Sequence, residues 1–176
     1  MKNKISILLG ILLITVAAIP AVASGADDSG DPLAQKIRLA VLSSPWYGVF
    51  DIVYFDIDGF DVTLTGFARN PNVKEDIGRR VEKIPVVNEV DNRIEVLPVS
   101  MMDDAIRRMV FRKLFSTADM YRYALGPIPS IRIIVNNGHV RLEGVVSNEA
   151  DRRLALMASR GIPGVFSVKS NLSLEN

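Results

Sequence analysis

The sequence predicts an α+β protein of two tandem α-β-β-α-β units, each a small three-stranded mixed sheet with two helices on one face. An internal repeat is the first observation behind this. Gly66-x3-Asn70 returns as Gly144-x3-Asn148, and at the same offset Ile84-Pro85-Val86-Val87 returns as Ile162-Pro163-Gly164-Val165. Val90, Ile94 and Val96 then fall on Val168, Leu172 and Leu174 without a gap. Hydrophobic periodicity is the second: helical spacing and strand alternation follow one another in the same order in both halves. Turn chemistry is the third, with Asp58-Gly59 and Asn137-Gly138 each placed between strand-like runs.

In the first unit Leu33, Ile37, Ala40 and Val41 make a helix face that Pro45 stops. Residues 49–55 and 62–67 predict a hairpin around Asp58-Gly59. Asn70 and Pro71 serve as cap and first helical residue, Ile77, Val81 and Ile84 form the buried stripe, and Pro85 turns the chain into a strand over 90–96. A right-handed crossover brings that strand beside the hairpin. In the second unit Ser100 caps a helix whose apolar positions are Met102, Ile106, Met109, Val110 and Leu114. Runs at 131–135 and 140–144 flank Asn136-Asn137-Gly138, and Asn148 caps a helix with Glu149 and Asp151 in its first turn. Gly161 ends that helix, Pro163 prevents its resumption, and residues 165–174 form the closing strand. The expected domain limits are 32–98 and 99–176. Units this small have thin cores, so the two are expected to bury surface against each other.

Before the first unit, Lys2 and Lys4 precede an uncharged stretch over 5–18, and Pro20 leads into Ala21-Val22-Ala23. Residues 1–23 read as a secretory signal cleaved after Ala23, with an uncleaved membrane anchor as the alternative. Residues 24–31 are small, polar and acidic, and read as a flexible spacer. The 176 residues include no cysteine. That excludes a disulfide scaffold, a thiolate metal site, a cysteine nucleophile and a lipid-modified cysteine, so the product, expected to be exported on the strength of the signal, is not expected to be a lipoprotein. A formal net charge of +1 carries no signature of nucleic-acid binding. It is a sum over unlike parts, an acidic excess in the first unit and a basic excess in the second.

This organisation resembles the BON domain (bacterial OsmY and nodulation). The likeness rests on the glycine at the hairpin's end (Gly66, Gly144), the Asn-led helix after it (Asn70, Asn148) and the Ile-Pro-x-Val turn (Pro85, Pro163). The closing strand and the hairpin glycines Gly59 and Gly138 complete it. The resemblance implies a non-enzymatic, OsmY-like module of the periplasm. It also implies phospholipid binding or support of envelope integrity under osmotic or envelope stress. The connection over 116–130 is longer than the family pattern leads one to expect.

The residues offer little for catalysis, and no cofactor or metal is expected. His139 directly follows the Asn-Gly turn, where an exposed strand start explains it, and no second group is set to orient it. There is no G-x-S-x-G elbow, phosphate-binding glycine loop or H-E-x-x-H motif. Asp56, Asp58 and Asp61 around Gly59 look like part of a calcium loop but lack its bidentate glutamate, so a hairpin turn is the reading taken. The basic set is more informative. Arg107, Arg108, Arg112 and Lys113 lie on the first helix of unit two, and Arg122 stands between Tyr121 and Tyr123 in the long connection. The plain explanation is a solvated helix face, with Asp103 and Asp104 paired to Arg107 and Arg108 at i,i+4. The functional one is an anionic phospholipid surface, with Met120, Tyr121, Tyr123, Leu125 and Ile128 entering the headgroup region while the cations meet phosphate. A protein-binding adaptor in a periplasmic or outer-membrane assembly is the alternative function.

Overall fold

A computed structural model describes residues 31–117 and 119–175. The signal and most of the spacer lie outside the described residues. Unit one runs α1 (Pro32–Leu42), β1 (Ile52–Asp58), β2 (Asp61–Ala68), α2 (Pro71–Glu82), β3 (Glu89–Asn92) and β4 (Glu95–Val96). Unit two runs α3 (Met101–Ser116), a short 3-10 turn (Met120–Ala124), β5 (Ile131–Asn136), β6 (His139–Val146), α4 (Glu149–Ser159) and β7 (Ser167–Leu174). In each, an antiparallel hairpin is joined by a parallel strand on the side of its second member: β1-β2-β3, with β4 also on β2, and β5-β6-β7.

Capping explains most of the helix starts. Asp31, expected in the spacer, is the N-cap of α1, its side chain accepting from the Leu33 amide at 2.8 Å. Ser100 accepts from the Asp103 amide at 3.1 Å, and Asn148 from the Asp151 amide at 2.9 Å. Asn70 holds the cap position of α2 without a side-chain bond, because the Val73 amide turns to Asn70's own carbonyl at 3.3 Å. The Ile-Pro turns close through Val87 N–H to Ile84 C=O (2.9 Å) and Val165 N–H to Ile162 C=O (3.1 Å). The last strand of unit one is broken, not continuous over 90–96. Asn92 turns its side chain to the Lys74 carbonyl (2.9 Å) and the Ile94 amide (3.3 Å). Gly78 leaves room for it, since a Cβ there would lie 2.6 Å from the Asn92 amide nitrogen.

Two cores form where each sheet meets its helices, one around Ile37, Leu64, Ile77 and Ile94, the other around Ile106, Leu114, Met120, Ile133 and Leu142. The units do pack on each other, and they exchange segments. Val49 and Phe50 of unit one pack against the second core, and Ile128 of the long connection packs against the first. A third cluster, Ile52, Leu97 and Ile134 with Phe67, lies between them. Along this seam the Ile133 amide donates to the Val49 carbonyl at 2.8 Å. The Tyr54 hydroxyl donates to Glu143 at 3.0 Å, and Arg141 stacks 4.6 Å over the Phe67 ring. Arg132, buried and 5.1 Å over the Tyr47 ring, supplies a cation near Asp51. Burial pushes the Asp51 carboxyl up, opposed by the Arg69 and Gly48 amides that donate to it at 2.6 and 2.9 Å.

One seam contact gives a pH signature. Arg69 donates to both oxygens of Asp104 at 3.3 and 3.2 Å, and with Arg107 holds that carboxyl below the usual carboxylate range. A depressed carboxylate contributes stability above its unfolded pKa and loses it as pH falls through the folded value. Arg69→Ala is therefore expected to cost about 0.5–1 kcal/mol near neutral pH, the range for a partly exposed pair. In denaturant melts the difference from wild type should shrink toward zero in strong acid. A difference unchanged down to about pH 2 contradicts the assignment.

Candidate functional site

The cationic residues singled out in the sequence separate in the structure. Arg107 is withdrawn from the surface: it is 2% exposed, pairs with Asp104 at 2.7 Å and donates to the Val135 carbonyl at 2.6 Å. That pair is i,i+3, not i,i+4, and Asp103 makes no ion pair with Arg107. Its buried carboxylate instead accepts from the Asn137 and Gly138 amides, both at 2.8 Å, tying α3 to the β5–β6 turn. Tyr123 is buried too. Its hydroxyl donates to Asp151 at 2.6 Å and accepts from the Ser147 amide at 2.9 Å. Arg122 lies over the Tyr123 ring and is ion-paired to Asp151. Met120 is fully buried, and Ile128 is half-buried with its side chain packed on the first core. The long connection is a brace between 3-10 turn and α4. Tyr123→Phe is expected to cost about 1–2 kcal/mol in thermal or denaturant unfolding, because it leaves the Ser147 amide without its acceptor. An unchanged midpoint would show that water replaces the hydroxyl.

Arg108, Arg112, Lys113 and Tyr121 remain exposed. The guanidinium groups of Arg108 and Arg112 have no hydrogen-bond or ion-pair partner among the described residues. Lys113 donates to the Arg160 carbonyl at 3.1 Å, the C-terminal end of α4. At 3.6 residues per turn these side chains share the outer arc of α3 with Met101, Met102 and Met109. Arg112 and Lys113 also line a groove of about 420 Å³ with Met109, Ser116, Gly161, Ile162 and Pro163. Met101 is 90% and Met102 63% exposed, although Met102 belongs to the apolar set that reads as the buried stripe. Met102 lies over Gly164, where an added Cβ would be 3.3 Å from its sulfur. Phe166, 79% exposed and outside the final strand, lies over Gly138 with its ring 5.9 Å from that of His139.

This apolar part of the surface was missed in the sequence. The doubled methionine at the start of α3 and an aromatic just before β7 were its only signals. The other candidates take plain roles. His139 is exposed with Nδ1 2.7 Å from the Ser167 hydroxyl. Asp56 and Asp58 point to solvent, Asp61 accepts from Asn88 at 2.8 Å, and the turn itself is Gly59-Phe60. Among the described residues no cluster could hold a metal ion, and no helix is long and apolar enough to cross a membrane.

No curated protein matches the chain. Among solved structures, two chains of CdsD, a structural protein of the type III secretion system of Chlamydia trachomatis, are similar at 12% and 14% identity. The alignments cover 82% of this chain in both cases and 93% and 98% of the CdsD chains, with TM-scores of 0.33 and 0.30. Scores this low establish no shared fold. The family model of the BON domain matches twice, over residues 29–98 and 103–176. Both matches coincide with the helix-hairpin-helix-strand units above, and the chain belongs to the BON-domain family as two tandem copies.

Proposed function

We propose that the protein is an exported, non-enzymatic BON module that docks on anionic phospholipid surfaces through the outer arc of α3, and so supports the envelope under osmotic or envelope stress. BON domains are non-catalytic, envelope-associated modules, and this chain carries two. The observation that supports the lipid reading is the pair of unpartnered guanidinium groups, Arg108 and Arg112, beside exposed methionines. A cation near an anionic leaflet contributes about 1 kcal/mol, so Arg108, Arg112 and Lys113 together supply about 3 kcal/mol. That is too little for stable docking. Partial burial of Met101, Met102 and Phe166 adds a comparable amount, at about 1.5–3 kcal/mol for each fully buried side chain. Binding should then be reversible, charge-selective and salt-sensitive.

Co-sedimentation of the mature chain with vesicles tests this. Vesicles containing phosphatidylglycerol should pellet it and purely phosphatidylcholine vesicles should not, with release on raising salt. Equal pelleting with both, or with neither, overturns the reading. Capture of one stoichiometric envelope protein in the latter case would favour the adaptor.

A further inference from the structure

Unit one also has an exposed apolar face that its own core does not use. On α1, Leu39 is 66% and Leu42 44% exposed, and Trp46, in the turn after the helix, is 53% exposed. Isolated surface leucines need no explanation. Here two lie at i,i+3 on one helix face, followed by the chain's single tryptophan. Around α1 the leucines are bordered by Lys36 on one side and Arg38 on the other, both exposed and without a side-chain partner among the described residues.

A second cationic feature adjoins this face. Ala40 of α1 and its C-cap Ser43 form one wall of a groove of about 480 Å³ whose other wall is Asp76, Arg79, Arg80 and Lys83. Asp76 pairs with Arg80 at 2.6 Å and Arg79 at 3.7 Å, and Arg80 also reaches the Ser43 hydroxyl at 3.2 Å. Lys83 stays free of any side-chain partner among the described residues, and the lining keeps a cationic excess. By the internal repeat this groove is the counterpart of the one beside α3: Ala40 corresponds to Met109, Ser43 to Arg112 and Lys83 to Gly161. The cations come from α2 in one unit and α3 in the other. Cationic character thus occupies equivalent places in both units although the residues that supply it differ.

From these observations we infer that Leu39, Leu42 and Trp46, with Lys36, Arg38 and the α1–α2 groove, form a second contact with the anionic bilayer. The inference rests on the membrane reading above and adds a contact in the unit whose overall charge is acidic. An amphipathic face with leucines between cations and a tryptophan at its end suits the headgroup boundary, where the indole is buried and the long cationic side chains reach phosphate. Two contacts that reach the same bilayer raise avidity without new affinity at either.

Trp46 is its own probe. In the mature chain, adding phosphatidylglycerol vesicles should shift its emission to the blue, and brominated acyl chains should quench it. Leu39→Ser combined with Leu42→Ser should weaken vesicle binding about tenfold, a change of about 1.4 kcal/mol, measured below the melting transition of the variant so that unfolding does not account for the loss. Pelleting with anionic vesicles while Trp46 emission stays unshifted and unquenched overturns this second contact and leaves the α3 surface standing. No pelleting at all overturns both.

Discussion

Gly144→Ala is expected to cost about 3 kcal/mol or more of unfolding free energy, with Gly66→Ala close behind. Two effects add. The backbone at these positions has φ of +119° and +122°, a region that L side chains rarely adopt and that costs of order 1–3 kcal/mol. A Cβ would also lie 2.0 Å from the Ser130 carbonyl oxygen at Gly144 and 2.1 Å from that of Ile52 at Gly66. Those oxygens belong to the adjoining hairpin backbone, so relief requires opening the hairpin where Ile131 pairs with Gly144 and Val53 with Gly66. Gly59 and Gly161 separate the two effects, because both have positive φ but nothing within 4 Å of an added Cβ. Alanine there should cost only about 1 kcal/mol. Denaturant melts of the four variants give the comparison, and Gly144→Ala no worse than Gly59→Ala contradicts the close approach. The same spot is constrained twice in one chain, which is why the duplicated glycine stands out in the repeat.

Asp103→Ala is expected to cost about 2–4 kcal/mol. The carboxylate is 1% exposed and supplies acceptors for two backbone amides of the β5–β6 turn. Asn137 and Gly138 both have positive φ, 49° and 76°, as a type I′ turn requires, so their amides cannot turn to another partner without losing the turn. Each unsatisfied buried amide costs about 1–3 kcal/mol. Asp103→Asn keeps one acceptor oxygen and should lose about half as much. The cap itself survives both changes, since Ser100 Oγ bonds the Asp103 backbone amide. An Asp103→Ala melt within about 0.5 kcal/mol of wild type, the range of ordinary surface substitutions, would show that water reaches those amides.

Most of the fold was legible because its signals are local. The repeat located both units, the caps Ser100 and Asn148 act as their residue types suggest, and Asn137-Gly138 forms the expected turn. What escaped the sequence depends on distant partners. Asp103 and Arg107 look like a solvated i,i+4 pair. Only the fold shows the β5–β6 turn and the Val135 carbonyl lying over that side of α3, which buries both. Tyr123 and Met120 look like an interfacial aromatic stretch because sequence cannot show that the long connection folds back onto α4 and the core. The break at Asn92 arises from a pocket opened by Gly78, fourteen residues earlier in the chain and on another element. For the surface, the cations were legible as a helical cluster. The exposed Met102 and Phe166 were not, since each belongs to an apolar set that reads as interior.

Vesicle binding by an Arg108→Glu, Arg112→Glu double variant tests membrane docking most directly, with Arg152→Glu, Arg153→Glu on α4 as a charge-matched control. Arg152 and Arg153 are paired with Glu149 at 2.5 and 3.7 Å, whereas Arg108 and Arg112 have no such partner among the described residues. Docking through α3 predicts that the first variant loses most of its pelleting with phosphatidylglycerol vesicles, at least about tenfold for the reversal of two cations near the surface, while the control falls much less. Equal loss in both variants, or undiminished binding by the α3 variant with its fold intact, would contradict it.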